Sequence, residues 1–123
     1  EELEIRLKEF SEIITFEMGK PIVDAEKEVK KTIHFCDYYS KNYEPLLPQF
    51  VKTEARRHTL VKYLPIGIVY NLVPFNFPLY LNVKGGMPSL LIGNTLMVRN
   101  ADSCPNLGNL LEETMEKAGF NNG

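Results

Sequence analysis

The chain has 123 residues, 44% of them apolar and 24% charged, which fits one globular domain or part of a larger one. Fourteen basic against sixteen acidic side chains leave a formal charge of −2, so the clustered positive surface that nucleic acid requires is absent. The densest basic run, Lys27 to Lys31, is interrupted by Glu28 and reads as a solvated helix face.

No apolar run approaches membrane-spanning length, and the opening Glu1, Glu2 and Glu4 are unlike a signal peptide, so no membrane is expected and cytoplasm is the expected compartment. Cys36 and Cys104 make no disulfide framework, and with His34 and His58 they give no metal-ligand spacing, so no metal is expected. The first residues are already mid-helix in pattern, and Asn121-Asn122-Gly123 is a turn signal with nothing after it. A segment of a longer chain is therefore expected.

Leu3, Leu7, Phe10 and Ile14 recur at helical spacing, and Gly19 closes that helix because glycine takes the left-handed conformation without strain. Pro21 suits the first turn of a second helix with Ile22, Ala25, Val29, Ile33 and Cys36 as its apolar stripe. Asp24, Glu26 and Glu28 lie near its positive end, and Pro45 and Pro48 stop it. His58 to Leu64 is rich in strand formers and predicts one strand of an exposed arm or hairpin.

Ile66 to Val73 is a nearly continuous apolar run, as in a strand covered on both faces. Pro74 to Pro78 is a rigid turn, and Leu79 to Ile92 predicts a helix with a kink at Pro88. Gly85 and Gly86 weaken that helix and serve to let it approach the sheet, or a ligand, closely. Thr95 to Arg99 predicts a second short buried strand. Asp102 or Ser103 then caps a helix with Pro105 in its first turn, burying Leu107, Leu110, Leu111, Met115 and Ala118 and stopping at Gly119. Strand, helix, strand, helix is the opening of a doubly wound parallel α/β sheet.

Ligands of such sheets bind beyond the carboxyl ends of the strands. Pro74 to Asn76 and Arg99 to Asp102 occupy that edge, and no GxGxxG is present. Two prolines stiffen the turn around Asn76, whose amide either donates to a developing oxyanion or hydrogen-bonds its own turn. Arg99 and Asp102 either meet the ribose of a nucleotide or serve as a surface charge and a helix cap. Lys84, in a glycine-rich apolar stretch, either meets an anionic substrate or, the favoured reading, reaches out to solvent. Cys36 and Cys104 read as structural.

Together, Glu17 to Pro21 (EMGKP), Pro65 to Gly67 (PIG), Pro74 to Pro78 (PFNFP), Gly93 to Thr95 (GNT) and Arg99 to Pro105 (RNADSCP) resemble the NAD(P)-dependent aldehyde dehydrogenase superfamily. That family commonly has PLG, PWNFP and K-P-A-x-x-T-P at the corresponding places. The resemblance is collinear and covers roughly a quarter of a family chain, its early part.

It implies that Asn76 is the catalytic donor to the oxyanion of a thiohemiacetal. It further implies that Leu72, Val73, Pro74 and Phe75 line the cofactor cleft, with Arg99 and Asp102 at the adenosine ribose. NAD or NADP is the implied cofactor. An acid at 102 leans the choice towards NAD, while Arg99 in place of the usual lysine keeps the charge but alters its geometry. Lys84 matches a substrate-carboxylate position of succinate-semialdehyde dehydrogenases, the branch this chain is most similar to, so a small aldehyde such as succinate semialdehyde is the implied substrate.

The implied division is 1–48 as a helix pair on the face of the cofactor domain, 49–65 as part of a β arm used in oligomerisation, and 66–123 as the start of the NAD(P)-binding domain. A homo-oligomer, dimer or tetramer, is implied for the parent. The family's nucleophilic cysteine and general-base glutamate lie beyond Gly123, so the piece alone is expected to be inactive. The alternative is a non-catalytic interaction or assembly module derived from that family.

Overall fold

The computed structural model describes residues 1–46, 49–54 and 57–120. In chain order they form α1 (Glu2–Ile5), α2 (Leu7–Met18), α3 (Ile22–Lys41), a 3₁₀ turn (Glu44–Leu46), β1 (Gln49–Glu54) and β2 (Arg57–Val61). These are followed by β3 (Ile68–Leu72), α4 (Pro78–Leu91), β4 (Thr95–Arg99) and α5 (Pro105–Lys117).

The first expected helix is divided at Arg6, where φ is −96° and ψ 13°. Its guanidinium turns towards α5, donating to Thr114 Oγ1 and Glu113 Oε2 at 3.2 Å each. Gly19 ends α2 in the left-handed conformation, φ 75°, and its N–H donates to Thr15 O at 3.0 Å. Pro21 flanks α3 rather than entering its first turn, because its ψ of 136° is extended. α3 ends at Lys41, ahead of Pro45, while Pro48 and the Asn121–Gly123 turn lie outside the described residues.

β1 and β2 pair antiparallel, from Gln49 opposite Val61 to Glu54 opposite Arg57, with a register shift between Phe50 and Lys52. The paired strands are residues 49–54 and 57–61, earlier than the sequence pattern suggests. β3 and β4 pair in parallel, with Ile68 opposite Thr95 and Leu72 opposite Arg99, and α4 connects them.

Asn94 sets where β3 begins. Its buried Oδ1 accepts from the Ile66 and Gly67 amides at 2.6 and 3.1 Å, and its Nδ2 donates to Ser89 O. Those two amides are thus satisfied outside the ladder, and the strand is shorter than the apolar run that announces it.

The two glycines of α4 do let the helix approach the sheet. A Cβ on Gly85 would lie 3.0 Å from Asn71 Oδ1, and one on Gly86 would overlap Leu96 Cδ2. The helix continues through Pro88 to Leu91, because the carbonyl that loses its partner there, that of Lys84, belongs to an exposed residue.

The expectation of strands covered on both faces is corrected. Ile68 and Leu72 are 67% and 65% exposed and Tyr70 and Met97 are also open, since α4 is the helix that lies against the pair and it covers the other face. The helices instead share one core, built from Phe10 and Ile14, Ala25 and Val29, Leu79, and Cys104, Leu107, Leu110 and Leu111. Ile22 and Ala118, expected in apolar stripes, are exposed at the helix ends, and Thr114 takes the buried place on α5.

Glycine inside a helix ordinarily costs about 1 kcal/mol relative to alanine. At position 86 contact outweighs propensity: Gly86→Val is expected to lower stability by about 1–3 kcal/mol in urea denaturation, as Leu96 and the helix are pushed apart.

Candidate active-site edge

The parallel register carries two segments to the same edge. Leu72 is opposite Arg99, and the Val73 amide donates to Arg99 O at 3.0 Å, so Leu72 to Phe75 and Arg99 to Asp102 leave the sheet side by side. Val73 is buried, whereas Leu72, Pro74, Phe75 and Asn76 are exposed.

The PFNFP turn is held from below by groups on the helix pair. Glu28, only 2% exposed, accepts the Leu79 and Tyr80 amides on Oε1 at 3.0 and 3.1 Å, which caps α4. Its Oε2 pairs with Lys20 Nζ. Lys20 also donates to Asn76 O at 2.7 Å and lies 4.1 Å from the centre of the Phe77 ring. A buried carboxylate survives only when paired and hydrogen-bonded, and all of those conditions are met here. Asn76 uses its carbonyl to hold the turn, and its side-chain amide makes no hydrogen bond among the described residues. The alternative in which that amide closes its own turn is therefore not what the structure shows.

Glu17 plays the corresponding part for α5. It accepts the Asn106 amide at 2.7 Å on one oxygen and the Leu107 amide at 3.0 Å on the other. The expected cap by Asp102 or Ser103 is corrected: the residue flanking α5 is Cys104, with no side-chain cap of its own. Asp102 turns instead to Arg99, Oδ1 to Nη2 3.1 Å, and the carboxylate holds that guanidinium above its ordinary pKa. Both side chains are exposed. Helix N-termini commonly bind phosphate; here α4 and α5 each give two of those amides to a protein carboxylate.

Lys84 stands about two turns into α4, exposed, with Nζ 5.9 Å from the Tyr80 ring centre. A cleft of about 940 Å³ between α4, β4 and α5 reaches the edge at Arg99 and Asp102 but not at Asn76. Burial pushes the Cys36 thiol above its usual pKa, and Cys104 is 1% exposed in the core, which agrees with structural roles for both. Among the described residues no cluster of three His, Cys, Asp or Glu side chains could hold a metal, and no helix is long and apolar enough to cross a membrane.

Glu17, Lys20 and Glu28 are the functional supports that sequence reasoning misses. For Glu28 a signal exists, since Ala25, Glu28, Val29 and Thr32 share one helical stripe and all are buried. The solvated-face reading of Lys27 to Lys31 is corrected at Glu28, which is buried beside Val29 of the expected apolar stripe. For Glu17, 89 residues from its amide partner, no local pattern exists.

A parallel β–α–β unit with chemistry-bearing residues at the carboxyl edge, backed by a helical layer, is the opening of a doubly wound α/β domain. Residues 1–123 match the aldehyde dehydrogenase family, and the chain belongs to it. Among its relatives is the succinate semialdehyde dehydrogenase [NAD(P)+] Sad of Escherichia coli (strain K12), 31% identical over 121 residues that make up 98% of this chain and 26% of the relative. A probable succinate-semialdehyde dehydrogenase [NADP(+)] of Synechocystis sp. is also 31% identical, over 98% of this chain and 27% of that protein. The fold matches a succinic semialdehyde dehydrogenase from Streptococcus pyogenes, solved with NADP+, at a TM-score of 0.88 and 25% identity, covering 98% of this chain and 27% of that one. The chain thus spans about a quarter of the length of the relatives it matches.

Removing Glu28 orphans two helix amides and takes the only carboxylate from the Lys20 ammonium among the described residues. Glu28→Leu is expected to lower stability by about 3–5 kcal/mol, and Glu17→Ala at its more open site by about 1 kcal/mol, both read from urea denaturation curves.

Proposed function

We propose that this chain supplies the oxyanion donor and part of the cofactor cleft of a longer NAD(P)-dependent aldehyde dehydrogenase that converts an aldehyde, succinate semialdehyde by our reading, to its carboxylic acid. The observation that carries this is the state of Asn76: its backbone is anchored by Lys20 while its amide is exposed and uncommitted. Such an amide meets the oxyanion that forms on the aldehyde oxygen without first breaking another bond, which is what preorganised stabilisation requires.

The cofactor, when bound, supplies the electron acceptor. Leu72 to Phe75 offer it a surface beside the turn, and Arg99 with Asp102 offers donors and acceptors to a ribose. Pairing between those two tempers the repulsion that a lone carboxylate would exert on a 2′-phosphate, and Arg99 can grip one. The lean to NAD finds no support in the relatives, whose names print NADP+ or NAD(P)+. We therefore assign a site open to either. The phosphates bind away from the two glutamate-capped helix ends.

The same reading assigns 1–48 as the helix pair behind the cofactor domain, 66–123 as the start of that domain, and 49–65 as an arm for a homo-oligomer, supported by the β1–β2 hairpin. It places the enzyme in the cytoplasm and the thiol nucleophile and general base in the remaining three-quarters of the protein. Lys84 is assigned to the substrate carboxylate.

In the complete enzyme, Asn76→Ala is expected to cut kcat for acid production by about 10²–10³ while cofactor affinity, measured by fluorescence titration, changes far less. Equal turnover in the two proteins would remove Asn76 from the chemistry.

A further inference from the structure

The lysines of α3 are not equivalent. Lys27, Lys30 and Lys41 each hold a carboxylate on their own helix, those of Asp24, Glu26 and Asp37. Lys31 holds none among the described residues. Its Nζ lies 4.2 Å from the centre of the Tyr80 ring and 6.0 Å from that of Phe77. Lys84 approaches the same Tyr80 ring from α4, at 5.9 Å, and also lacks a carboxylate partner among the described residues.

The ring between them is itself braced, because Phe35 meets Tyr80 edge-on with centroids 5.9 Å apart. The nearest acid on α3, Glu28, is buried and already committed to Lys20 and the α4 amides. Two ammonium groups thus approach one ring, and neither has a carboxylate partner among the described residues. Such an arrangement raises the local positive potential and favours an anion that can reach both.

The pair adjoins the turn that carries Asn76, because the ring of its neighbour Phe77 is the second one that Lys31 faces, at 6.0 Å. We propose that Lys31, together with Lys84, forms an anion seat over Tyr80 that takes the terminal carboxylate of an aldehyde whose carbonyl lies at Asn76. The seat rests on the aldehyde dehydrogenase reading above and adds to it a specificity residue, Lys31, contributed by the helix pair rather than by the βα unit. Selectivity for an anionic aldehyde over a neutral one then depends on α3 as well as on α4.

The test uses the complete enzyme, with succinate semialdehyde and butanal as paired substrates. The readout is the ratio of kcat/KM for the charged aldehyde to kcat/KM for the neutral one. Lys31→Met is expected to lower that ratio by about tenfold or more, mainly through KM for succinate semialdehyde, with Lys31→Arg restoring most of it. Far-UV circular dichroism of each variant checks that the exposed substitution leaves the fold in place. A ratio equal to the parent's in Lys31→Met overturns the seat while leaving the function intact. A parent that oxidises neither aldehyde overturns the functional reading first, and the seat with it.

Discussion

A glutamate with no access to solvent has to find its hydrogen bonds inside the protein, and Glu28 finds them in two places, at the start of α4 and at Lys20. One oxygen closes the first turn of α4, the other faces Lys20 at the end of the α2–α3 connection, and Lys20 carries the link on to the Asn76 carbonyl and the Phe77 ring. A charge that is costly to bury thereby ties the helix pair, the rigid turn and the crossover helix into one unit. The position of Asn76 follows from that tie. Its backbone is fixed from the helix side, and the side chain is left exposed, with no hydrogen bond among the described residues.

The same device recurs at α5, where Glu17 stands in for a local cap. Two helix ends that could have received phosphate are closed by carboxylates from the first twenty-eight residues. In the function we propose, the cofactor meets the row of residues at the carboxyl edge, where the parallel register sets Leu72 beside Arg99. The helix pair thus braces the turn that carries Asn76, and in our proposal Lys31 extends its reach to the substrate.

Much of this was legible in the residues themselves. Helical spacing located α2, α3 and α5, the left-handed Gly19 marked a helix end, and the prolines around Asn76 marked a stiff turn at a strand edge. Gly85 and Gly86 announced a close approach that Asn71 and Leu96 bear out. What escaped was long-range or depended on what covers a surface. An apolar strand gives no sign of which face is covered, so Tyr70 and Leu72 were read as buried. Local capping rules favoured Asp102 and Ser103 because they cannot see a carboxylate arriving from Glu17. Glu28 sat in a buried stripe, but its charge disguised it among lysines that are solvated.

The most direct measurement of the central claim is amide hydrogen exchange at Leu79 and Tyr80, followed by NMR in the parent chain and in Glu28→Gln. If the Glu28 carboxylate holds the start of α4, both amides exchange slowly in the parent, and the variant loses that protection there before it loses it in α2 or α5. Fast exchange at the two amides in the parent, or the same protection in both proteins, would contradict the account.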